Sequence, residues 1–333
     1  MYNIPAPYLH FLGDAPDRLA AKTAIGVHYW RPELSVGQYR MPSCQADLEI
    51  DDLSIGQAVE RGAKTLVIGV ANRGGVISRG WEGVIIEAIE AGMNVASGLH
   101  GRLNENERFR EVAEQHGCQL IDVRYPLGPF PVATGAPRNG KRVLTVGTDC
   151  SCGKMYTSLA LEAEFKVMGV DADFRATGQT GILIAGDGAP VDAIGGDFIS
   201  GVSEILSPDN SDSHWDLIEG QGSLFHPSYA GVSLGLLHGS QPDWIIMCHE
   251  PTRTHMRGLP HFGIPEIGTC IEANLAAGRL TNPGVRLGGI SLNSSALSQE
   301  EAAKLSKELA QRFGVPVCDP VRGGVRAIID FIS

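Results

Sequence analysis

Short apolar runs alternate along the chain with segments that carry apolar residues at helical spacing. Residues 64–70 form a continuous apolar run bounded by polar residues, which is typical of a parallel strand buried on both faces. Residues 81–91 are apolar at helical spacing and stop at Gly92, a favourable C-terminal cap. The other elements predicted in the first half are strands at 22–28, 93–97 and 119–123 and helices at 54–61 and 105–116. This alternation predicts a parallel sheet with crossover helices.

The second half repeats the alternation after a stretch rich in proline and glycine. Residues 125–140 hold four prolines and three glycines, which favours an inter-domain linker. A buried strand at 143–146 and a helix at 154–168 follow it. The other elements predicted here are strands at 170–174, 214–219, 244–248, 288–293 and 315–318 and helices at 197–206, 266–277 and 299–313. We therefore predict an α/β protein with two domains, 1–135 and 136–333.

Composition and charge argue against several classes of function. The net charge of −11, with no basic run, argues against partners such as nucleic acid or a membrane surface, because both require a basic field. No apolar stretch approaches the roughly 20 residues that span a bilayer, and the N-terminus lacks a signal-peptide pattern. Seven scattered cysteines are typical of reduced thiols, so we expect a cytoplasmic protein.

The segment between the strand at 143–146 and the following helix has the layout of a phosphate-binding loop. Its glycines let successive backbone N–H groups converge on anionic oxygens, and Lys154 adds a full charge at the start of the helix. Two features depart from the usual pattern. Five residues, not four, separate Gly147 from Gly153, and Met155 stands where a Ser or Thr hydroxyl normally holds magnesium. The sequence predicts a phosphate cradle without the usual hydroxyl for a magnesium ion.

Polar residues also follow the other predicted strands of the second half. In doubly wound sheets, ligands bind outside the carboxyl ends of the strands, so such residues are expected to share one edge. The clusters are residues 175–179, residues 219–223, residues 249–253 and Asn293. One cluster alone would be an ordinary turn, but several on one sheet predict a site.

Three segments give the chain a resemblance to known families. Residues 147–154 and 218–222, together with Asn293, resemble the loop, the strand end and the base-reading asparagine of dethiobiotin-synthetase-like P-loop proteins. A closer resemblance is to a smaller family that pairs a Rossmann-like domain with a P-loop domain. Its marks are Gly-Thr-Asp-Cys-x-x-Gly-Lys-Met at 147–155, Arg-Ala-Thr-Gly-Gln-Thr-Gly at 175–181 and Glu-Gly-Gln-Gly-Ser at 219–223. That family includes the D-glutamate N-acetyltransferase of bacterial D-glutamate catabolism.

The resemblance implies an N-terminal Rossmann-like domain, a C-terminal P-loop NTPase-like domain and transfer of acetyl from acetyl-CoA to the amino group of an acidic amino acid. Such an enzyme holds the phosphates of its co-substrate but breaks no phosphoanhydride bond, which suits a loop with Met155. We expect no metal, although Thr157 or Ser158 remains an alternative source of a magnesium hydroxyl. The residues expected to bind the co-substrate are Gly147, Thr148, Cys150, Ser151, Cys152, Gly153, Lys154, Met155, Tyr156 and Asn293.

The candidate residues for the acceptor are open to more than one interpretation. An amine acceptor needs a base, and its carboxylates need arginines or backbone donors. The candidate bases are Glu219 and His249, with Asp149 orienting Lys154 or the ligand, and His226 is a weaker candidate. The candidate substrate-binding residues are Arg73, Arg175, Thr177, Gln179 and Arg253. Structural roles compete with each of these: ion pairs for the arginines, a cap for the carboxylate and ordinary packing for the histidines.

Two further questions stay open from the residues. Cys150 and Cys152 suggest an acetyl-cysteine relay, but small residues that let a loop close are the favoured interpretation. A C-x-C pair is also poor evidence for zinc, which needs three or four ligands. The first domain lacks the dinucleotide fingerprint, so it contributes to a site or mainly supports a homo-oligomer. The rival activities are an ATP- and magnesium-dependent kinase or ligase and a nucleotide-regulated binding protein.

Overall fold

The chain folds into two compact units, each built around its own parallel sheet. A computed structural model of the protein describes residues 2–72 and 74–333. The first unit contains the residues up to Leu127 together with Gly178–Ala193, and the second contains Gly128–Thr177 and Ile194–Ser333. The predicted α/β class with parallel sheets is confirmed.

The bounds of the elements follow in chain order. The strands are β1 (Tyr2–Asn3), β2 (Tyr8–Gly13), β3 (Ser35–Arg40), β4 (Thr65–Ile68), β5 (Asn94–Ser97), β6 (Leu120–Asp122), β7 (Lys141–Gly147), β8 (Ala172–Arg175), β9 (Asp187–Gly188), β10 (Trp215–Ile218), β11 (Trp244–His249), β12 (His255–Met256), β13 (Leu259–Gly263), β14 (Arg286–Leu292) and β15 (Val317–Cys318). The helices are α1 (Lys22–Trp30), α2 (Ile55–Glu60), α3 (Glu82–Glu90), α4 (Glu107–His116), α5 (Lys154–Val167), α6 (Gln179–Ala185), α7 (Ile199–Leu206), α8 (Ala230–Ser240), α9 (Ile267–Gly278), α10 (Gln299–Phe313) and α11 (Arg326–Ile332). Among the described residues, no helix is both long enough and apolar enough to cross a bilayer.

The first unit has a five-stranded parallel sheet in the order β3-β2-β4-β5-β6. A later segment of the chain completes this unit. Strand β9 pairs with β1 in antiparallel fashion, and a Cβ atom placed on Gly26 of α1 would lie 3.6 Å from Thr180 Cγ2 of α6. These contacts explain why residues 178–193 belong to the first unit, away from their sequence neighbours.

The second unit has a six-stranded parallel sheet in the order β15-β14-β11-β7-β10-β8. The register brings the carboxyl ends of its central strands to one edge. Gly147 at the end of β7 lies beside Cys248 of β11, and His249 lies beside Leu292 of β14. The loops that follow these strands therefore emerge side by side, as expected for a ligand-binding edge.

The strand predicted at residues 22–28 is wrong, because this segment forms α1. Its β-branched residues suggested an extended chain, but Ala24 and Val27 are three residues apart and both are fully buried on one helical face. Gly69 leaves room for that helix, since a Cβ atom there would clash with Ala24. The first strand of the sheet is instead β2, in a segment that showed no pattern.

Helices α6, α8 and α11 were not predicted, and α8 shows why. Its sequence contains several glycines, which have low helical propensity. Two of them lie against α7: a Cβ atom on Gly235 would come within 2.7 Å of Ile199 Cγ2, and one on Gly239 would clash with the Ser200 carbonyl. The glycines are required by close helix packing, which sequence propensity cannot register.

The proline-rich stretch predicted as a linker is held against the second unit. The Glu204 carboxylate accepts the backbone N–H groups of Thr134 at 2.8 Å and Gly135 at 2.6 Å. The Arg138 guanidinium donates to the Gly239 carbonyl at 2.7 Å. The compact units accordingly divide between Leu127 and Gly128, whereas the sequence suggested residue 135.

Candidate functional site

The phosphate-binding loop joins β7 to α5 at the carboxyl edge of the second sheet. Ser151 has φ 52° and Gly153 has φ 109°, so the backbone turns through left-handed conformations before the helix begins. The N-cap residue of α5 is Gly153, which has no side chain to cap the helix, and the first turn has no acidic residue. The N–H groups and the positive end of this 14-residue helix therefore favour an anion.

Lys154 lies buried at the base of this loop. Its Nζ donates to the Asp149 carbonyl at 2.8 Å and lies 3.8 Å from Cys152 Sγ. In the described part of the chain no carboxylate forms an ion pair with it. Gly147 is required beneath it, since a Cβ atom there would lie 2.6 Å from Cys152 Sγ. A buried ammonium without a counter-charge needs an anionic partner.

The hydroxyls next to the lysine are used inside the fold. Met155 occupies the position of the usual magnesium ligand. Thr157 Oγ1 donates to the Gly153 carbonyl at 2.9 Å and lies 2.7 Å from Ser291 Oγ. Ser158 Oγ donates to the Ile218 carbonyl at 3.1 Å. Both hydroxyls are buried and form hydrogen bonds within the second unit.

Arg253, in the segment after β11, binds the same loop. Its Nη1 donates to Asp149 Oδ2 and to the Cys150 carbonyl, both at 2.6 Å, and its Nη2 donates to the Ser151 carbonyl at 3.2 Å. Nη2 also forms an ion pair with Glu250. Arg253 thus forms ion pairs within the protein, which was the alternative to binding a substrate carboxylate.

Arg175 points back along the sheet from its carboxyl edge. Its Nε donates to Asp216 Oδ1 at 2.6 Å, and its Nη2 lies 3.1 Å from Asp173 Oδ2. Residues two apart on a strand share a face, which places Asp173 beside it. Two carboxylates already balance the charge of this arginine.

Glu219 and Thr177 bind each other across the ends of β10 and β8. Glu219 Oε2 accepts the Thr177 N–H at 2.9 Å, and Thr177 Oγ1 donates to the Glu219 carbonyl at 2.7 Å. This pairing supports the cap interpretation of the carboxylate. Gln179 belongs to the first unit, where its Nε2 donates to Asp192 Oδ1 at 3.1 Å. Arg73 lies outside the described residues.

His249 and Asn293 lie together beside the phosphate-binding loop. His249 Nδ1 is 3.0 Å from Thr148 Oγ1, and the Asn293 N–H donates to the His249 carbonyl at 2.9 Å. Burial lowers the pKa of His249 below its usual value. The imidazole is therefore neutral at pH 7 and able to accept a proton.

The cysteines of the loop have different surroundings. Cys152 is buried, and its thiol donates to the carbonyls of Asp149 at 3.1 Å and Cys248 at 3.4 Å, which supports the filler interpretation. Cys150 is partly exposed, and burial raises the pKa of its thiol. Met155 and Tyr156 are partly buried in the first turn of α5.

Sequence reasoning missed Arg257 and gave His226 little weight. Backbone groups of Arg257 contact two site residues: its N–H donates to Asp149 Oδ2 at 2.8 Å, and its carbonyl lies 3.3 Å from His226 Nε2. Its side chain is exposed and has no hydrogen bond or ion pair to the rest of the described chain. The only sequence signal was its position four residues after Arg253.

Two family models match the chain. Residues 131–329 match the P-loop domain DUF1611_C and residues 40–126 match the Rossmann-like domain DUF1611_N, both described as domains of unknown function. Together they cover both predicted domain types. The Rossmann-like and P-loop predictions are therefore confirmed.

Similar proteins extend along essentially the whole chain. A protein of Tritonibacter scottomollicae named D-glutamate N-acetyltransferase is 52% identical over 330 residues, which is 99% of each chain. A protein of the same name from Pseudoalteromonas sp is 52% identical over 327 residues, or 98% of each chain. The crystal structure of a DUF1611 family protein from Anabaena variabilis has a TM-score of 0.84 at 30% identity and covers 98% of this chain and 99% of its own.

Proposed function

This chain belongs to the DUF1611 family, and we propose that it transfers the acetyl group of acetyl-CoA to the amino group of D-glutamate. The support for the acceptor is the name shared by two relatives at 52% identity over nearly the full length. The support for the co-substrate comes from the loop between β7 and α5.

The observation that carries this assignment is a buried lysine in a phosphate cradle without a magnesium hydroxyl. Lys154 and the uncapped start of α5 favour an anion, while the Thr157 and Ser158 hydroxyls are bonded inside the fold. Phosphoryl-transfer P-loops need the hydroxyl because magnesium stabilises the charge of the transferred group. Acetyl transfer leaves the phosphates intact, so the cradle only has to hold the diphosphate of CoA.

In the proposed reaction, the amine of D-glutamate loses a proton and attacks the thioester carbonyl. A C–N bond forms, the C–S bond breaks, and the CoA thiolate leaves and is protonated. We assign the base to His249, because burial keeps its imidazole neutral and it stands beside the loop. Glu219 is the weaker candidate, since its carboxylate already binds the Thr177 N–H. For a substrate carboxylate we favour Arg257, because the guanidinium groups of Arg175 and Arg253 already bind carboxylates.

Calorimetric titration tests the assignment of the loop. We expect acetyl-CoA to bind in buffer without added magnesium, with an affinity that added magnesium does not change. ATP binding that requires magnesium, with no binding of acetyl-CoA, would instead support the kinase or ligase activity.

A further inference from the structure

Three side chains with metal-binding atoms meet beside the phosphate-binding loop. A carboxylate oxygen of Asp149, the Sγ of Cys150 and a ring nitrogen of His226 all lie within 4.8 Å of one another. Asp149 and Cys150 belong to the loop after β7, whereas His226 comes from the segment after β10. The sequence offered only a C-x-C pair here, and folding supplies a carboxylate and an imidazole.

Asp149 has one oxygen left over for another ligand. Its side chain is fully buried, and Oδ2 accepts from Arg253 and from the Arg257 N–H. Its Oδ1 is also buried and has no hydrogen-bond partner among the residues that the structure describes. A buried, unpartnered carboxylate oxygen is costly, so a group that binds it would stabilise the loop.

Two hydrogen bonds fix the tautomer of the His226 imidazole. Its Nε2 lies 3.3 Å from the Arg257 carbonyl, which can only accept, so Nε2 carries the proton. The lone pair is then on Nδ1, which accepts the Ser228 N–H at 3.2 Å, so coordination of a metal by this nitrogen would replace that hydrogen bond. Metal-binding histidines commonly donate their other ring N–H to a carbonyl in this way. The backbone of Arg257 thus holds both the carboxylate and the imidazole.

We propose that Asp149, Cys150 and His226 bind zinc or a similar borderline divalent cation. Mixed oxygen, sulfur and nitrogen donors suit such a cation better than magnesium or calcium. In a tetrahedral zinc site the ligand atoms lie about 3.3–3.8 Å apart, so small side-chain shifts close the cluster. Three protein ligands leave a fourth position for water or a substrate atom.

The charges of the site are compatible with a divalent cation. Because Glu250 also pairs with Arg253, the charges of the Asp149 carboxylate and the Cys150 thiolate can balance the cation, and binding releases the thiol proton. Arg253 binds the other oxygen of the carboxylate, so the cation and the guanidinium share one anion without competing for the same atom.

Cobalt titration of the metal-stripped full chain tests this proposal, because a cobalt–thiolate bond gives a near-ultraviolet charge-transfer band. We expect the band to saturate at one equivalent of cobalt and to disappear when zinc is added. Cys150→Ser should abolish the band, and His226→Asn should weaken cobalt binding at least about tenfold. Cys44→Ser and Cys318→Ser, at two other partly buried thiols, should leave it unchanged.

A second measurement uses only the unaltered protein. Zinc should slow the alkylation of Cys150 at least about tenfold, as measured by peptide mass spectrometry, while Cys44 and Cys318 keep their alkylation rates.

The proposal is overturned if no saturable band forms, if Cys150→Ser keeps the band, or if zinc leaves the alkylation of Cys150 unchanged. An acetyl group found on Cys150 in protein that binds no metal would also overturn it and would support a thioester relay. Neither readout requires acetyl transfer, so failure here leaves the proposed activity standing.

Discussion

Arg253 and Asp149 form an ion pair, 2.6 Å long, that ties the chain after β11 to the phosphate-binding loop. The aspartate side chain is 1% exposed and the arginine 17%. Because removing one partner leaves a buried charge unpaired, we expect Arg253→Gln to lower the free energy of unfolding of the second unit by about 3–5 kcal/mol. Urea unfolding of single and double variants with Asp149→Asn should give a coupling energy of about 0.5–3 kcal/mol.

A matched pair on the surface gives the control for this cycle. Arg312 and Glu266 are 2.8 Å apart and each about half exposed. Their coupling energy should stay below about 1 kcal/mol. Equal coupling energies for the two pairs would mean that Arg253 does not clamp the loop.

Lys154 should determine the affinity for acetyl-CoA. Lys154→Met removes the buried ammonium from the cradle and should raise the KM for acetyl-CoA about 10- to 100-fold, since hydrogen bonds to charged groups contribute about 1.5–3 kcal/mol. Lys166→Met is the control on the same helix, because that lysine is 54% exposed and pairs with Glu162. Steady-state kinetics with both variants make the comparison. An unchanged KM for acetyl-CoA in Lys154→Met would mean that this loop does not bind the phosphates of CoA.

Arg257 should act on the acceptor. If its free guanidinium binds a carboxylate of glutamate, Arg257→Gln should raise the KM for glutamate about 10- to 100-fold and leave the KM for acetyl-CoA unchanged. Arg257→Lys keeps the charge without the bidentate geometry, so its KM for glutamate should lie between that of the unaltered protein and that of Arg257→Gln. His261→Asn, at an exposed position of β13, is the control. If only the KM for acetyl-CoA rises, Arg257 binds the phosphates of CoA and not a carboxylate of glutamate.

His249 should control the pH dependence of the reaction. A base works when deprotonated, so kcat/KM should fall as pH decreases through the pKa of His249. Burial lowers that pKa, which places this acidic limb below about pH 6.5, the ordinary histidine value. His249→Asn should lower kcat about 10²- to 10⁴-fold and remove the limb, whereas the exposed His255→Asn should do neither. If Glu219→Gln removes the limb and His249→Asn does not, the base is Glu219.

The sequence predicted the strand ends well because parallel strands carry long apolar runs. The loop at 147–154, Glu219, His249 and Asn293 all emerge at the carboxyl edge of the second sheet. What the sequence did not provide was the direction of each side chain. Arg175 is the last residue of β8, yet it shares a face with Asp173 and turns away from that edge.

The sequence also did not predict the contacts between segments that are far apart along the chain. The closeness of His226 to Asp149 depends on the path of the chain after β10, which no local pattern encodes. The same holds for α6, which follows the loop after β8 in sequence but belongs to the other unit. Helix α8 escaped prediction because its glycines serve the contact with α7.

Release of free CoA thiol tests the central claim most directly. The purified chain is incubated with acetyl-CoA and D-glutamate, L-glutamate or no acceptor, without added magnesium or ATP. We predict thiol release with D-glutamate, matched by an equal amount of N-acetyl-D-glutamate in mass spectrometry. No thiol release with any acceptor, together with phosphate release that requires ATP and magnesium, would contradict the account.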